Sequence, residues 1–218
     1  MSLRPKPASA SQAHPQGDGR LHSPSFARNG EPIAAVVAEL APARGRALEL
    51  ASGSGEHVLL LSERHPDLIW QPSDAAPERI ASVAAWLRLH PRENVLPPLP
   101  LDATAPGWAA GLPRQDLVMV VNLLHLISTP EAQTCLAEMA AALAPGGVAL
   151  IYGPFRQGGR LVSEGDRRFD ASLRAADPET GYKDAEWVNE RLATAGLVPD
   201  EPRRMPADNL ILAARRPG

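Results

Sequence analysis

The chain carries a single cysteine, Cys135, among 218 residues. One thiol excludes an internal disulfide and any metal site built from several thiolates, and it fits a reducing compartment. Long apolar runs are also missing. No stretch reaches the ~18 residues of a membrane span, and the polar opening MSLRPKPASASQAHPQGDG has no apolar core of the secretory type. The expected location is therefore the cytoplasm, with no membrane partner. Nor is there a basic excess: 22 Lys and Arg face 25 Asp and Glu, for a net charge of −3. That balance leaves no electrostatic footprint for a phosphate backbone. The expected partner is a small molecule rather than a nucleic acid.

Proline is abundant instead, 23 residues in all, and its positions mark boundaries. Residues 1–24 mix Pro, Ser, Ala, Gly, Gln and His with few branched apolar side chains, a composition expected of a flexible tail. Residues 25–218 read as one domain. Its first helix is expected with Asn29 as cap and Pro32 in the first turn, leading into PIAAVVAEL. Strands are then expected at 47–52, 68–73, 94–102, 116–122 and 148–154, with helices at 56–65, 77–89, 128–143 and 184–196. Pro97, Pro98 and Pro100 restrict the third strand to an edge, because each removes a ladder donor. Ser128 and Glu131 stand at capping-box spacing. Residues 156–182 show weak periodicity, and 197–206 with 209–216 form a closing hairpin. This alternation predicts an α/β fold with a mostly parallel sheet and helices on both faces. Ligands of such sheets sit beyond the carboxyl ends of the strands.

Those ends carry the informative residues. After the first strand, Gly53 and Gly55 stand one apart in ELASGSGEH, where missing Cβ atoms let backbone approach a ligand. A complete dinucleotide fingerprint would place a third Gly at 58, which holds Val, and the Gly-Lys-Ser/Thr phosphate loop is absent. The alternative reading is a tight turn alone. Asp74 follows the second strand, 19 residues beyond Gly55, where a carboxylate can accept from two ribose hydroxyls or simply cap a helix. Asp102 ends the third strand, placed to accept from an exocyclic amine or to close a turn. His125 lies just past the central strand, as a candidate base or a packed ring. His57 reads as structural and Cys135 as core. Tyr152 and Arg156 flank the end of the fifth strand, and Arg28 with Asn29 precede the first helix; these four are candidate acceptor-binding residues.

Taken together, RNGEPI (28–33), LELASGSGEH (48–57), WQPSD (70–74), LPLDAT (99–104), NLLHLI (122–127), IYGPFRQGG (151–159), FDASLRAADP (169–178) and MPADNL (205–210) resemble the class I S-adenosylmethionine-dependent methyltransferases. Within them the chain is similar to the domain of unknown function 938 family, which includes the methyltransferase-like 26 proteins. The resemblance implies a Rossmann-like seven-stranded sheet with a C-terminal antiparallel hairpin. It implies S-adenosyl-L-methionine as cofactor, with Gly53 and Gly55 under its methionine part, Glu49 facing its ammonium, Asp74 at the ribose and Asp102 at the adenine. Asn122, at the end of the central strand, would meet the methionine portion. Methyl transfer from a sulfonium requires alignment rather than a strong nucleophile or a metal, so no triad is needed. The absence of an Asn-Pro-Pro-Tyr motif argues against a nucleobase amine as acceptor. Two other readings stay open: a cofactor-binding or protein-interaction module without turnover, and a nicotinamide-dependent oxidoreductase.

Overall fold

The computed structural model describes residues 13–218. A small hairpin, β1 (His14–Pro15) and β2 (Leu21–His22), leads into helix α1 (Pro24–Leu40). Strands and helices then alternate: β3 (Gly45–Leu50), α2 (Glu56–Arg64), β4 (Leu68–Asp74), α3 (Pro77–Leu89), β5 (Leu99–Pro100), β6 (Gln115–Val121), α4 (Thr129–Ala142) and β7 (Leu143–Gly153). Helices α5 (Glu164–Ala176) and α6 (Ala185–Thr194) follow, and β8 (Val198–Pro199), β9 (Arg203–Arg204) and β10 (Leu210–Arg215) close the chain.

The main sheet runs β5-β4-β3-β6-β7-β10-β8. Strands β3 to β7 are parallel, and β10 enters antiparallel beside β7, with Ile211 opposite Tyr152. Both β8 and β9 pair with the outer side of β10. They are two pieces of one edge strand, interrupted just before β9, where Pro202 can offer no donor. Seven strand positions and a closing antiparallel pair result, as expected. The proline-rich third strand of the alternating series, β5, is an edge of two residues.

Alternation along the strands supplies both faces with core. Ala47, Leu117, Met119, Leu150 and Ile211 pack against α1, α2 and α3. Leu48, Leu50, Val118, Val120, Ile151 and Leu212 pack against α4 and α6, where Cys135 is fully buried with Leu136 and Met139. Burial pushes the Cys135 thiol up to about 12, so it behaves as a small apolar group. Among the described residues, no helix is long and apolar enough to cross a membrane.

Three expectations change. Helix α1 begins at Pro24, which takes the first-turn position expected of Pro32; Pro32 lies inside the helix, and Asn29 is a buried interior residue instead of a cap. Residues 13–24 pair and dock on the domain, whereas the flexible-tail expectation for residues 1–12 lies outside the described residues. Polar contacts hold this segment, which composition undervalues: the Leu21 N–H donates to Ser82 Oγ (2.8 Å) and Trp86 Nε1–H to the Leu21 carbonyl (3.0 Å). Helix α5 was not expected. Its sequence, EGDRRFDASLRAA, turns two carboxylates, Asp166 and Asp170, inward beside Leu173, so its apolar period is thin.

The capping box of α4 forms as expected. Ser128 Oγ accepts from the Glu131 N–H (3.3 Å), and Glu131 Oε2 accepts from the Ser128 N–H (2.7 Å). Ser128→Ala is expected to lower stability by about 0.5–2 kcal/mol, measured as a shift of the urea midpoint at constant slope.

Candidate functional site

The connection from β3 leaves toward β4 and that from β6 toward β7, so the connections diverge beyond the adjacent carboxyl ends of these neighbouring strands. This is the switch point where α/β sheets hold ligands. Both strands end on a left-handed residue, Ala51 (φ 52°) and Asn122 (φ 57°). Such turns cost an L-residue roughly 1–3 kcal/mol and concentrate at functional sites. A cleft of about 1060 Å³ opens here.

On one side stands the glycine loop. Gly53 adopts φ 60°, and a Cβ built on it would meet only the Ala51 carbonyl, at 3.8 Å. Its N–H donates to Asp74 Oδ2 (2.9 Å), while Asp74 Oδ1 accepts from the Ala76 N–H (3.0 Å). Asp74 thus ties the loop after β3 to the end of β4. Glu49 lies beneath, 1% exposed, with Oε2 lacking any partner. Burial pushes its carboxyl up to about 8; a hydrogen bond from Ser52 opposes the rise and the Asp74 charge adds to it. Asp102 follows β5 and accepts from Thr104 N–H (2.9 Å) and Oγ1–H (2.6 Å), both on Oδ1.

Helix α1 forms another wall. Asn29 Oδ1 sits 3.1 Å from His57 Nε2, and Tyr152 lines the same wall. Burial pulls His57 down to about 4, so the ring is neutral and donates from Nε2 to the amide oxygen. Tyr152 is held above the ordinary phenol value, chiefly by burial, with Asn29 and Arg28 opposing. Arg28 lines the cleft beside it.

At the far end, His125 forms a ring cluster with Phe169 (5.7 Å) and Tyr182 (6.1 Å). Tyr182 donates from its hydroxyl to Asp166 Oδ1 (3.1 Å), and burial together with that carboxylate drives the phenol far upward. The backbone around His125 is clamped from residues 181–183. The Gly181 N–H donates to the His125 carbonyl (3.0 Å), and Lys183 Nζ donates to the Ile127 and Gly181 carbonyls (2.7 and 2.8 Å).

Nine of the expected residues therefore meet on one cleft: Arg28, Asn29, Glu49, Gly53, Asp74, Asp102, Asn122, His125 and Tyr152. Two do not. Gly55 (φ 92°) is packed against α3, where a Cβ would come within 3.0 Å of Val83 Cα, so its missing side chain serves the fold. Arg156 is off the cleft wall; its guanidinium faces Asp170 at 3.5 Å. Several cleft residues had no site role in the sequence reading: Ser23 and Ser25, Asp166, Phe169, Tyr182, and the turn at Pro206–Asn209. Phe169 and that turn fall within FDASLRAADP and MPADNL, so the motifs held a signal; Ser23 and Ser25 gave none.

The strand order and the site at its switch point define a Rossmann-like fold of the class I methyltransferase type. The family described as "Protein of unknown function (DUF938)" matches residues 20–216, and the chain belongs to it. Among solved structures, an O-methyltransferase family protein from Burkholderia thailandensis matches with a TM-score of 0.75 at 22% identity, over 89% of this chain and 58% of that one. Human N-acetylserotonin methyltransferase, solved in complex with SAM, matches at 0.73 and 16%, over 89% and 53%. An O-methyltransferase family 2 protein from Planctomyces limnophilus, in complex with apigenin, matches at 0.72 and 19%, over 88% and 60%. The chain spans less than two thirds of the length of each. At these identities the likeness concerns the fold.

The two glycines should behave differently. Gly55→Val combines left-handed strain with overpacking and is expected to lose about 2–4 kcal/mol of stability. Gly53→Ala carries only the backbone penalty, about 1 kcal/mol. Equal losses in thermal denaturation would refute the division between a packing glycine and an open one.

Proposed function

We propose that this chain is an S-adenosylmethionine-dependent methyltransferase acting on a small-molecule acceptor. The observation that carries the reading is Glu49: a buried carboxylate with an unsatisfied oxygen, at the end of β3 under an open glycine. A buried carboxyl with no cation beside it keeps its proton, and an arriving cation can draw out the charged form. An amino-acid ammonium is such a cation. Asp74 and Asp102, on the next two strand ends, would hold the ribose and the adenine, and Gly53 and Asn122 would border the methionine portion. When bound, the cofactor supplies a methyl group on a sulfonium, a good leaving group. The chain's own task is then alignment in a site that excludes water.

On the acceptor side, His125 is the group placed to take a proton from the acceptor. Its loop is fixed by Gly181 and Lys183, which limits the positions the imidazole can adopt. Arg28, Asn29 and Tyr152 face the same space and would orient the acceptor with their donors. Arg156 has no part in this scheme. Val58, in place of a third loop glycine, disfavours the nicotinamide alternative. The sequence motifs support kinship with the methyltransferase-like 26 proteins, and the single buried thiol suits a cytoplasmic setting.

Two measurements test the reading. Near neutral pH the ligand-free Glu49 carboxyl, pushed up to about 8, holds its proton. An ammonium beside it favours the charged form, so binding S-adenosylmethionine should release a proton. In calorimetry the apparent enthalpy should vary with the ionisation enthalpy of the buffer for the wild type and not for Glu49→Gln. Absence of binding would sink the cofactor assignment. With an acceptor found by a labelled-methyl metabolite screen, His125→Ala should slow turnover by roughly 10²–10⁴-fold at unchanged cofactor affinity; turnover close to wild type would leave alignment alone as the mechanism.

A further inference from the structure

The segment before α1, with the first residues of that helix, reaches the cleft by an unusual route. Ser23, Pro24 and Ser25 stand on the cleft wall with Gly53 and Ser54 of the glycine loop. What brings the two together is Glu56, the first residue of α2, which is 4% exposed. Its Oε2 accepts from the Ser23 N–H (2.7 Å) and from Ser54 Oγ–H (2.8 Å), and its Oε1 lies 2.5 Å from His22 Nδ1. A second attachment runs through α3. Ser82 Oγ accepts from the Leu21 N–H (2.8 Å) and donates to the Ser54 carbonyl (2.7 Å), Trp86 Nε1–H donates to the Leu21 carbonyl, and the Arg20 guanidinium lies 4.4 Å over the Trp86 ring.

The attachment is almost wholly polar. No residue from 13 to 25 is fully buried, although the groups that anchor the segment, Glu56 and Ser82, are. A segment held by hydrogen bonds, with little apolar burial of its own, belongs to the least stable part of a fold and opens without global unfolding. A wall made of such a segment is a wall that can move.

We propose that residues 20–25 are a strap closed over the glycine-loop side of the cleft, that Glu56 is the positioning residue that latches it, and that ligand exchange waits on its release. The proposal rests on the reading of this cleft as the S-adenosylmethionine site. It assigns Glu56 a role beyond that of a carboxylate at a helix N-terminus, where its charge would favour α2 and nothing more.

The test uses the full chain and S-adenosylhomocysteine as probe, with association and dissociation rates followed by stopped-flow fluorescence. Glu56→Ala removes the latch from the loop side. Leu21→Pro removes the donor to Ser82 and leaves the glycine loop and α2 intact, so it reports on the strap even where Glu56→Ala does not fold. Losing a hydrogen bond to a charged group corresponds to roughly ten- to a hundredfold, and dissociation should speed up by that order in Glu56→Ala. Leu21→Pro should accelerate it in the same direction, with association no slower in either variant. Unchanged rates accompanied by a lower melting temperature would overturn the proposal and leave Glu56 as a structural residue. Faster release in Glu56→Ala alone would also overturn it, by assigning the effect to the loop. If the wild type does not bind the probe, the cofactor reading itself fails, an outcome distinct from both.

Discussion

The cleft follows from a constraint on connectivity. Two adjacent parallel strands, β3 and β6, send their following segments to opposite sides of the sheet, so no connection crosses the space above their carboxyl ends. To turn away within a residue, each chain enters the left-handed region, at Ala51 and Asn122. Backbone at such a point cannot continue the ladder, and its polar groups must find partners nearby or face a ligand. The Asn122 N–H bonds back to the Tyr152 carbonyl, and the Ser52 N–H to the Ser73 carbonyl, so the turns are anchored to the neighbouring strands. The gap between them stays open and polar, while the sheet on either side is sealed by helices.

Charge burial then gives the gap its character. Glu49 and Asp74 are both nearly inaccessible, and neither has a cation within ion-pair distance among the described residues. Asp74 resolves its charge with two backbone N–H groups and becomes a strut of the glycine loop. Glu49 has no comparable set of donors, and its proton affinity rises instead. The opposite wall is neutral: His57 is pulled down and Tyr152 pushed up by the same burial, with Asn29 between them. One side of the cleft therefore holds a carboxyl that keeps its proton well above the usual carboxylate range, and the other holds neutral groups beside Arg28. That asymmetry is a property of desolvation, since the same side chains in water would be an anion, a half-charged imidazole and an ordinary phenol.

Much of this was present in the order of residues. The alternation of apolar runs and amphipathic stretches specified the parallel sheet, proline placed β5 at an edge, and the groups just beyond β3, β4 and β5 were the ones that line the cleft, because strand ends in this topology converge by geometry alone. The Ser128 capping box was equally local, as it needs only residues within one turn. Features that depend on distant partners were not legible in this way. Gly55 stands in the same motif as Gly53, yet only the packing of α3 decides that one meets Val83 and the other open space. Arg156 follows a strand end and still turns to Asp170 on α5, a helix whose inward face is part carboxylate and whose apolar period is too weak to be foreseen. Residues 13–24 have the composition of an unfolded segment and are held by Glu56, Ser82 and Trp86, whose donors and acceptors lie 33 to 65 positions away. Local pattern and strand topology thus determined the fold and the row of candidate groups. Which groups face ligand, which brace the structure and which charges lose their water were decided only when the tertiary packing removed solvent around them, since hydrogen-bond partners and desolvation are properties of space rather than of sequence distance.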